Sequence, residues 1–303
     1  MKSIISFIFF VFFGLSVIFC SISYSQNRDS WTPPPFPFVN RNLFYTDPLV
    51  FYTKDSTNAR LDLYIELPVN NLLFKRNSVN ENFESSIVIS ININDLTGQS
   101  VIDKTYTENI SYTDDEMKRE AKNSIFYIKE YSLKPDSYLL SVLIRDNNLN
   151  KDYHSVDSIF VKNLRNSDIL LSDIMILSHY STDENGKKEI TPLVSNNVFG
   201  LKDFYIFFEI YKNSDSAINK DYTYRIKDSK DKIISEGTFA YFLKDYINKE
   251  FERLDFINHE PGFFKLELMD NLTREIVAQK NFAFFPNHPM GNQFQREGHK
   301  PRN

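Results

Sequence analysis

The chain of 303 residues has a single cysteine, a single tryptophan and only eight glycines. Cys20 lies inside an N-terminal apolar segment that we expect to be removed, so the exported chain would contain no thiol. A disulfide, a cysteine nucleophile and a thiolate metal site are then excluded. Stability has to come from core packing, for which 28 Phe and 17 Tyr supply ample apolar surface.

Runs of basic residues are also missing. The formal charge is −5, and positive and negative side chains are interspersed, as on an ordinary solvated surface. Binding to nucleic acid requires clustered Lys and Arg against the phosphates. We therefore expect no nucleic-acid partner.

The first 25 residues have the features of a signal peptide. Lys2 supplies a positive start, Ile4 to Phe19 form the apolar region, and Ser23 and Ser25 occupy the small-residue positions before a cleavage site. We predict cleavage after Ser25 and a secreted, periplasmic or outer-membrane-associated protein. An uncleaved anchor is the alternative and would be its only contact with a membrane. Lipid attachment at Cys20 is disfavoured because a bulky residue precedes it.

Residues 26–43 and 287–303 have the composition of flexible or extended segments rather than of a core. The first contains four prolines and is predicted to be a semi-rigid linker, with a ligand for an aromatic groove as the alternative. The second is polar and rich in Pro, Gly and Asn, and is predicted to be a disordered tail.

Between these segments apolar and polar residues alternate with period two, which is typical of half-buried β-strands. We predict an all-β protein with two tandem immunoglobulin-like β-sandwich domains, 44–165 and 166–286, after the cleaved signal peptide. A single large barrel is the structural alternative. One short helix is expected where Thr113 and Glu116 have the spacing of a capping box.

Several segments recur in order in the two halves, which favours a duplication. "IVISININD" is matched with "YIFFEIYK", "SVIDKTY" with "IISEGTF", and "LKPDSYLLSVLIRD" with "INHEPGFFKLELMD". The last pair ends at Asp146 and Asp270. Both carboxylates are predicted to cap turns rather than to bind a metal.

The order "RLDLYIELPVNNLLF", "DLTG", "LKPDSYLLSVLIRD" and "YIFFEIYK" resembles the N-terminal region of secreted bacterial GWxTD-domain proteins. The resemblance implies β-sandwich modules at the cell envelope of a Bacteroidetes-like lineage. The motif that names the family is absent, because the only tryptophan, Trp31, lies in "SWTPP". No functional residue is carried over. The final module also resembles sorting domains of type IX secretion, so a substrate of such a system is an alternative.

Patterns that carry catalytic chemistry are missing from the sequence. The five histidines, His154, His179, His259, His288 and His299, have no paired ligand spacing, although the last two leave a weak metal-binding tail as an alternative. No nucleophile elbow or phosphate-binding glycine loop occurs. Asp114, Asp115 and Glu116 are assigned to a helix start rather than to glycoside cleavage. We predict no enzyme, and no catalytic, cofactor-binding or metal residues.

Two aromatic segments, Ser124 to Tyr131 and Phe239 to Tyr246, carry rings on both strand faces. One face must be core. For the other we expect packing between the domains, with a sugar-stacking or protein-binding strip as the alternative. The predicted function is a non-enzymatic interaction or structural protein of the envelope, whose partner is another envelope protein. The alternatives are a carbohydrate-binding or carbohydrate-active surface protein, and an accessory to a separate chain that carries the missing domain.

Overall fold

The computed structural model of the protein describes residues 44–53, 57–163, 168–256 and 259–286. The predicted signal peptide, Pro-rich linker and polar tail lie outside these residues. In the described part of the chain no helix has both the length and the apolar character needed to cross a membrane.

The first half of the described chain forms a β-sandwich, as the alternating pattern predicted. It contains one short α-helix, α1 (Asp114–Glu120), and a single 3₁₀ turn at Val69–Asn71. Its strands are β1 (Tyr45–Tyr52), β2 (Ala59–Pro68), β3 (Lys75–Arg76), β4 (Phe83–Asp95), β5 (Ser100–Tyr112), β6 (Ser124–Leu133), β7 (Ser137–Asp146) and β8 (Lys151–Phe160).

A second β-sandwich follows, and no helix occurs in its described residues. Its strands are β9 (Ile169–Leu171), β10 (Met175–Thr182), β11 (Lys188–Pro192), β12 (Asp203–Lys212), β13 (Ile218–Asp228), β14 (Ile233–Leu243), β15 (Ile247–Asp255), β16 (Gly262–Asp270) and β17 (Ile276–Phe284).

The two sandwiches share one strand topology. In the first, sheet β1-β2-β6 faces sheet β3-β4-β7-β8, with β5 also paired to β4. In the second, sheet β11-β10-β12-β15, with β9 on β12, faces sheet β14-β13-β16-β17. The chain thus crosses repeatedly between two open sheets, as in immunoglobulin-like domains. The all-β, two-sandwich prediction is confirmed, and the alternative of a single barrel is wrong.

One of the three predicted correspondences between the halves is wrong. "YIFFEIYK" is β12, which pairs with β15 just as β2 pairs with β6, so β12 is the equivalent of β2. "IVISININD" is β4, whose equivalent is β13, the strand that lies between β14 and β16. The other two matches, β5 with β14 and β7 with β16, agree with the pairing.

The inward rows of the strands build one core in each sandwich. The first core includes the two predicted rows Leu61, Leu63, Ile65, Leu67 and Ile87, Ile89, Ile91, Ile93, all with no exposed surface. The second core is more aromatic and is built around Phe204, Phe208, Phe256, Phe264 and Phe282. Burial of apolar surface in these two cores stabilises the fold, since residues 26–303 contain no cysteines with which to form disulfide bonds.

A third apolar cluster joins the two sandwiches. Leu49 and Phe51 of β1 pack against Met175 and Leu177 of β10 and Phe207 of β12. The rings of Phe51 and Phe207 have centroids 6.1 Å apart. The second half of β1 and most of β12 are therefore covered on both faces, which explains why Leu49–Tyr52 and Phe204–Phe208 are uninterrupted apolar runs.

Polar contacts close the same junction. Lys280 of β17 pairs with the buried Asp47 of β1. Asp173 occupies the outer edge of β1, where its carboxylate accepts a hydrogen bond from the Val50 N–H at 2.8 Å and its own N–H donates to the Val50 carbonyl at 3.1 Å. Burial raises the pKa of Asp47, although Lys280 and Asn196 act in the opposite direction. The charge is buried with a partner, as interior charges require.

Candidate interaction surfaces

The carboxylates that the sequence singled out have structural partners. Asp146 accepts hydrogen bonds from the N–H groups of Asn148 and Leu149, at 2.8 and 3.0 Å, in the turn between β7 and β8. Asp270 does the same for Leu272 and Thr273 in the equivalent turn between β16 and β17. The prediction that both cap turns is confirmed. The same device recurs at Asp95, Asp183 and Asp228.

The acidic group at 114–116 begins α1. The Thr113 hydroxyl accepts from the Glu116 N–H, and the Glu116 carboxylate accepts from the Thr113 N–H at 2.9 Å, which completes the predicted capping box. Asp115 pairs with Lys118 one turn later. These carboxylates stabilise the positive end of the helix and do not converge on a common point.

The described histidines lie apart from one another. The ring of His259 lies against Phe256, with centroids 4.2 Å apart, and burial lowers its pKa. His179 contacts the Ser181 hydroxyl, and His154 is exposed on β8. Among the described residues no group of three or more His, Cys, Asp or Glu is arranged to hold a metal ion. His288 and His299 lie outside them.

The two aromatic segments form strands β6 and β14, and both lie at sheet edges. The expectation that their rings pack between the sandwiches holds for Tyr246, which packs against the first core and donates to the Thr53 carbonyl at 3.3 Å. It is wrong for the outward side chains of the two strands. Phe126 and Ile128 of β6 are 48% and 54% exposed, and Phe242 of β14 is 56% exposed. The junction uses β1, β10 and β12 instead. The only signal for this in the sequence was the loss of period-two alternation in those strands.

We define the β6 face as the outward row Phe126, Ile128 and Glu130. Alternation places Tyr127 and Tyr131 on the opposite side, against the first core. Across the strand pair, Phe126, Ile128 and Glu130 lie opposite Glu66, Tyr64 and Asp62 of β2. On its other side β6 has no strand partner among the described residues, so it combines exposed apolar side chains with a free backbone edge.

Carboxylates surround the apolar centre of this face. Burial raises the pKa of Glu66, although the Ser124 hydroxyl donates to it at 2.9 Å. Burial likewise raises the pKa of Asp62, although Arg60 donates two hydrogen bonds to it at 2.8 and 2.9 Å. Each group is already partnered within the chain. They give the face polar surroundings, to which the exposed Glu130 adds a further carboxylate.

A cavity of about 370 Å³ lies at the end of the β6 face. Arg60 and Glu130 place a charge of each sign on its wall, and Tyr131 lies between Glu130 and Ser132 in the lining. Its remaining lining residues are Thr53, Asn58, Ala59 and Ser132. The cavity is open to solvent, and its volume lies at the small end of the range of ligand pockets.

Tyr64 connects the β6 face to the aromatic side of the second sandwich. It packs against the junction cluster together with Tyr180, Tyr205 and Phe251. Tyr180 stacks on Phe251 with centroids 4.4 Å apart, and the Lys188 ammonium lies 4.2 Å from the same ring. The rings here are partly buried by one another, and β6 presents the more exposed apolar side chains.

No known protein family matches the sequence, and no curated protein matches it. Solved structures with similarity include red sea bream transglutaminase, with 5% identity over 82% of this chain and 32% of that one, at a TM-score of 0.23. A calcium-binding mutant of Bacteroides uniformis beta-glucuronidase 2 has 10% identity over 79% and 28%, at 0.26. Trypsin-activated alpha-2-macroglobulin from Escherichia coli has 11% identity over 81% and 16%, at 0.24. The chain spans under a third of each, and such scores carry no functional argument.

Proposed function

We propose that this protein is a non-enzymatic interaction module that binds a protein partner through the β6 face. The observation that carries the proposal is the exposure of Phe126 and Ile128, at 48% and 54%, on a strand with no outer neighbour in the described chain. An exposed strand edge offers main-chain hydrogen bonds, and alternate side chains beside it give specificity. The partner adds an extended segment to this edge.

A protein partner suits this face better than a glycan. Sugar recognition uses flat ring surfaces with free hydrogen-bonding groups beside them, whereas the row contains one ring and a branched aliphatic side chain. The neighbouring carboxylates Asp62 and Glu66 already have hydrogen-bond donors within the chain. A carbohydrate ligand remains the alternative that the experiment below distinguishes.

The proposed setting is the bacterial cell envelope after export. It rests on the predicted signal peptide of residues 1–25 and on the resemblance to the N-terminal region of GWxTD-domain proteins. A module without catalytic chemistry fits a role beside a second envelope protein. The two sandwiches would present the β6 face on a rigid support.

The experiment is affinity capture from native envelope extract with tagged residues 26–303, read by mass spectrometry. Wild type is compared with the double variant Phe126→Ser, Ile128→Thr and with the control Val156→Thr, whose side chain is 63% exposed on β8. We expect one stoichiometric partner with wild type and control, and at least tenfold less with the double variant. Equal capture by all three would contradict the proposal, and capture of polysaccharide alone would favour the alternative.

A further inference from the structure

Strand β14 (Ile233–Leu243) carries one charge, at Glu236, and after it the longest uncharged stretch of any edge strand in the described part of the chain. It ends the sheet β14-β13-β16-β17 and pairs only with β13 among the described residues. From Gly237 to Leu243 it carries no charged residue and no proline. Charged side chains and proline are the usual means by which proteins prevent edge-to-edge pairing. Most other long edge strands contain such residues, which leave shorter uncharged stretches: Asp47 and Pro48 in β1, Asp103 and Lys104 in β5, Asp152 in β8, Lys188 and Glu189 in β11, Lys249 and Glu250 in β15, and Lys280 in β17. Lys129 of β6 instead pairs with Glu108 and lies over the Tyr106 ring, which is compatible with the partner strand proposed above.

The local packing keeps β14 extended and flat. Gly237 lies opposite Tyr224 of β13, and a Cβ on this glycine would approach the Tyr224 ring within 2.5 Å. The absence of a side chain lets that ring lie across the strand and stack on Phe239, with centroids 4.9 Å apart. Tyr241 and Leu243 are buried in the core below. Phe239, Tyr241 and Leu243 thus point inward. Because side chains alternate along a strand, the residues between them point outward.

The outward row has a sequence that complements itself. It reads Glu236, Thr238, Ala240, Phe242 and Lys244, and all five are exposed. In an antiparallel pair of two copies centred on Ala240, Glu236, whose carboxylate also pairs with Arg225 of its own chain, lies opposite Lys244 of the other copy. Phe242 lies opposite Thr238, and Ala240 meets its own counterpart. Opposite charges and apolar contacts directly across an antiparallel pair are stabilising.

We propose that β14 binds a second copy of this chain, antiparallel and centred on Ala240. The contact is isologous, so it forms a closed dimer rather than a filament. It joins two four-stranded sheets into one continuous eight-stranded sheet, removes both uncharged edges and places Phe242 against the partner's Thr238 and Ala240. A strand pair buries little surface, so the dimer forms at high protein concentration. The β6 face belongs to the other sandwich and takes no part in this contact.

The test is sedimentation of residues 26–303 over a range of concentrations. Wild type should reach a mass twice that of the chain. Ala240→Lys places two ammonium groups opposite each other at the twofold axis and should remain a monomer. Thr107→Lys makes the same change at an exposed position of edge strand β5 and should leave the dimer intact. Circular dichroism melting shows whether both variants are folded.

The register is tested by cysteine cross-linking, because residues 26–303 contain no other thiol. Ala240→Cys should be oxidised by diamide to a disulfide-linked dimer, since residues facing each other in an antiparallel pair lie within disulfide range. Thr238→Cys alone should stay a monomer on a denaturing gel and cross-link only when mixed with Phe242→Cys.

A wild-type chain that stays monomeric at every concentration would overturn the proposal. The same holds for a dimer that Ala240→Lys does not weaken, or for Ala240→Cys that forms no cross-link. Capture of a different protein through β14 by a monomeric chain would assign the edge to another occupant. None of these outcomes bears on the β6 face, which is tested separately.

Discussion

Two buried tyrosine hydroxyl groups, one in each core, differ in whether they have hydrogen-bond partners. The Tyr211 hydroxyl donates to Glu209 and accepts from the Tyr52 N–H, the latter at 2.9 Å. The Tyr222 hydroxyl is buried and has no hydrogen-bond partner in the structure. A buried polar atom is costly when it is unpaired, and its removal is costly only when it has partners.

Two matched substitutions follow from this difference. Tyr222→Phe should leave the free energy of unfolding unchanged or raise it by up to about 1 kcal/mol, because it removes an unpaired polar atom. Tyr211→Phe should lower it by roughly 1–3 kcal/mol, because Glu209 and the Tyr52 N–H lose their partner. Urea unfolding of both variants measures the difference. A larger loss for Tyr222→Phe than for Tyr211→Phe would contradict the assignment.

Local residue patterns were sufficient to predict the features at this scale. Thr113 and Glu116 were identified as a capping box, and Asp146 and Asp270 as turn caps, because each interaction spans only a few residues. The partners of Tyr211 and Tyr222 were not predictable. Tyr211 takes its N–H donor from Tyr52, which is distant in the chain and reaches it only after the two sandwiches pack together.

At the scale of elements, the aspartates at the turns secure the hairpins. Burial alone would raise the pKa of Asp270, but Lys220 and the turn amides outweigh it and hold that pKa below its ordinary value. Lys220 lies 2.5 Å from the carboxylate. A depressed carboxyl pKa contributes stability that is present above the ordinary pKa and is lost as the pH falls through the depressed one.

Asp270→Asn keeps an acceptor oxygen in the turn but removes the charge. The variant should be less stable than wild type by roughly 1–3 kcal/mol at pH ~7, and the difference should shrink as the pH falls towards ~3. Unfolding curves across that range measure it. Asp95→Asn, in an exposed turn of the same kind, is the control and should change stability much less, because solvent screens its charge. If the stability difference between wild type and Asp270→Asn grew as the pH fell, the lowered pKa of Asp270 in the folded state would be contradicted.

The sequence pattern predicted which segments form strands and which face of each strand is buried. It did not predict which strands of the two halves correspond to each other. The rows of β2 and β4 alternate because one face of each is core. In β12 both faces are covered, so its run of apolar residues carries no period and was matched to the wrong strand of the first half. The same loss of alternation in β1 and β10 was the one signal that pointed to the junction.

At the scale of the whole molecule, the two sandwiches are joined by an apolar cluster and a buried ion pair. Lys280 and Asp47 have side chains that are 12% and 7% exposed. Removing one partner of a buried pair leaves an uncompensated charge, which costs more than the pair itself is worth. Replacing Lys280 or Asp47 alone should therefore destabilise the junction more than replacing both residues together.

Lys280→Met should lower the free energy of unfolding by about 3–5 kcal/mol and increase amide hydrogen exchange at Val50 more than within β4. Adding Asp47→Asn should recover part of the loss, since the unpaired charge is then gone. Arg145→Met, which breaks the more exposed pair with Asp152, is the control and should change the free energy of unfolding far less, because solvent screens that pair. A loss with the control as large as with Lys280→Met would count against a structural role of the junction pair.

The most direct test of the proposed function is photo-cross-linking in living cells. A photoreactive phenylalanine analogue is placed at position 126 on the β6 face and, in a second strain, at position 156 on β8. Binding through β6 predicts one defined cross-linked envelope protein from position 126 and none from position 156. No cross-link from position 126, or the same products from both positions, would contradict the assignment of the β6 face as the binding surface.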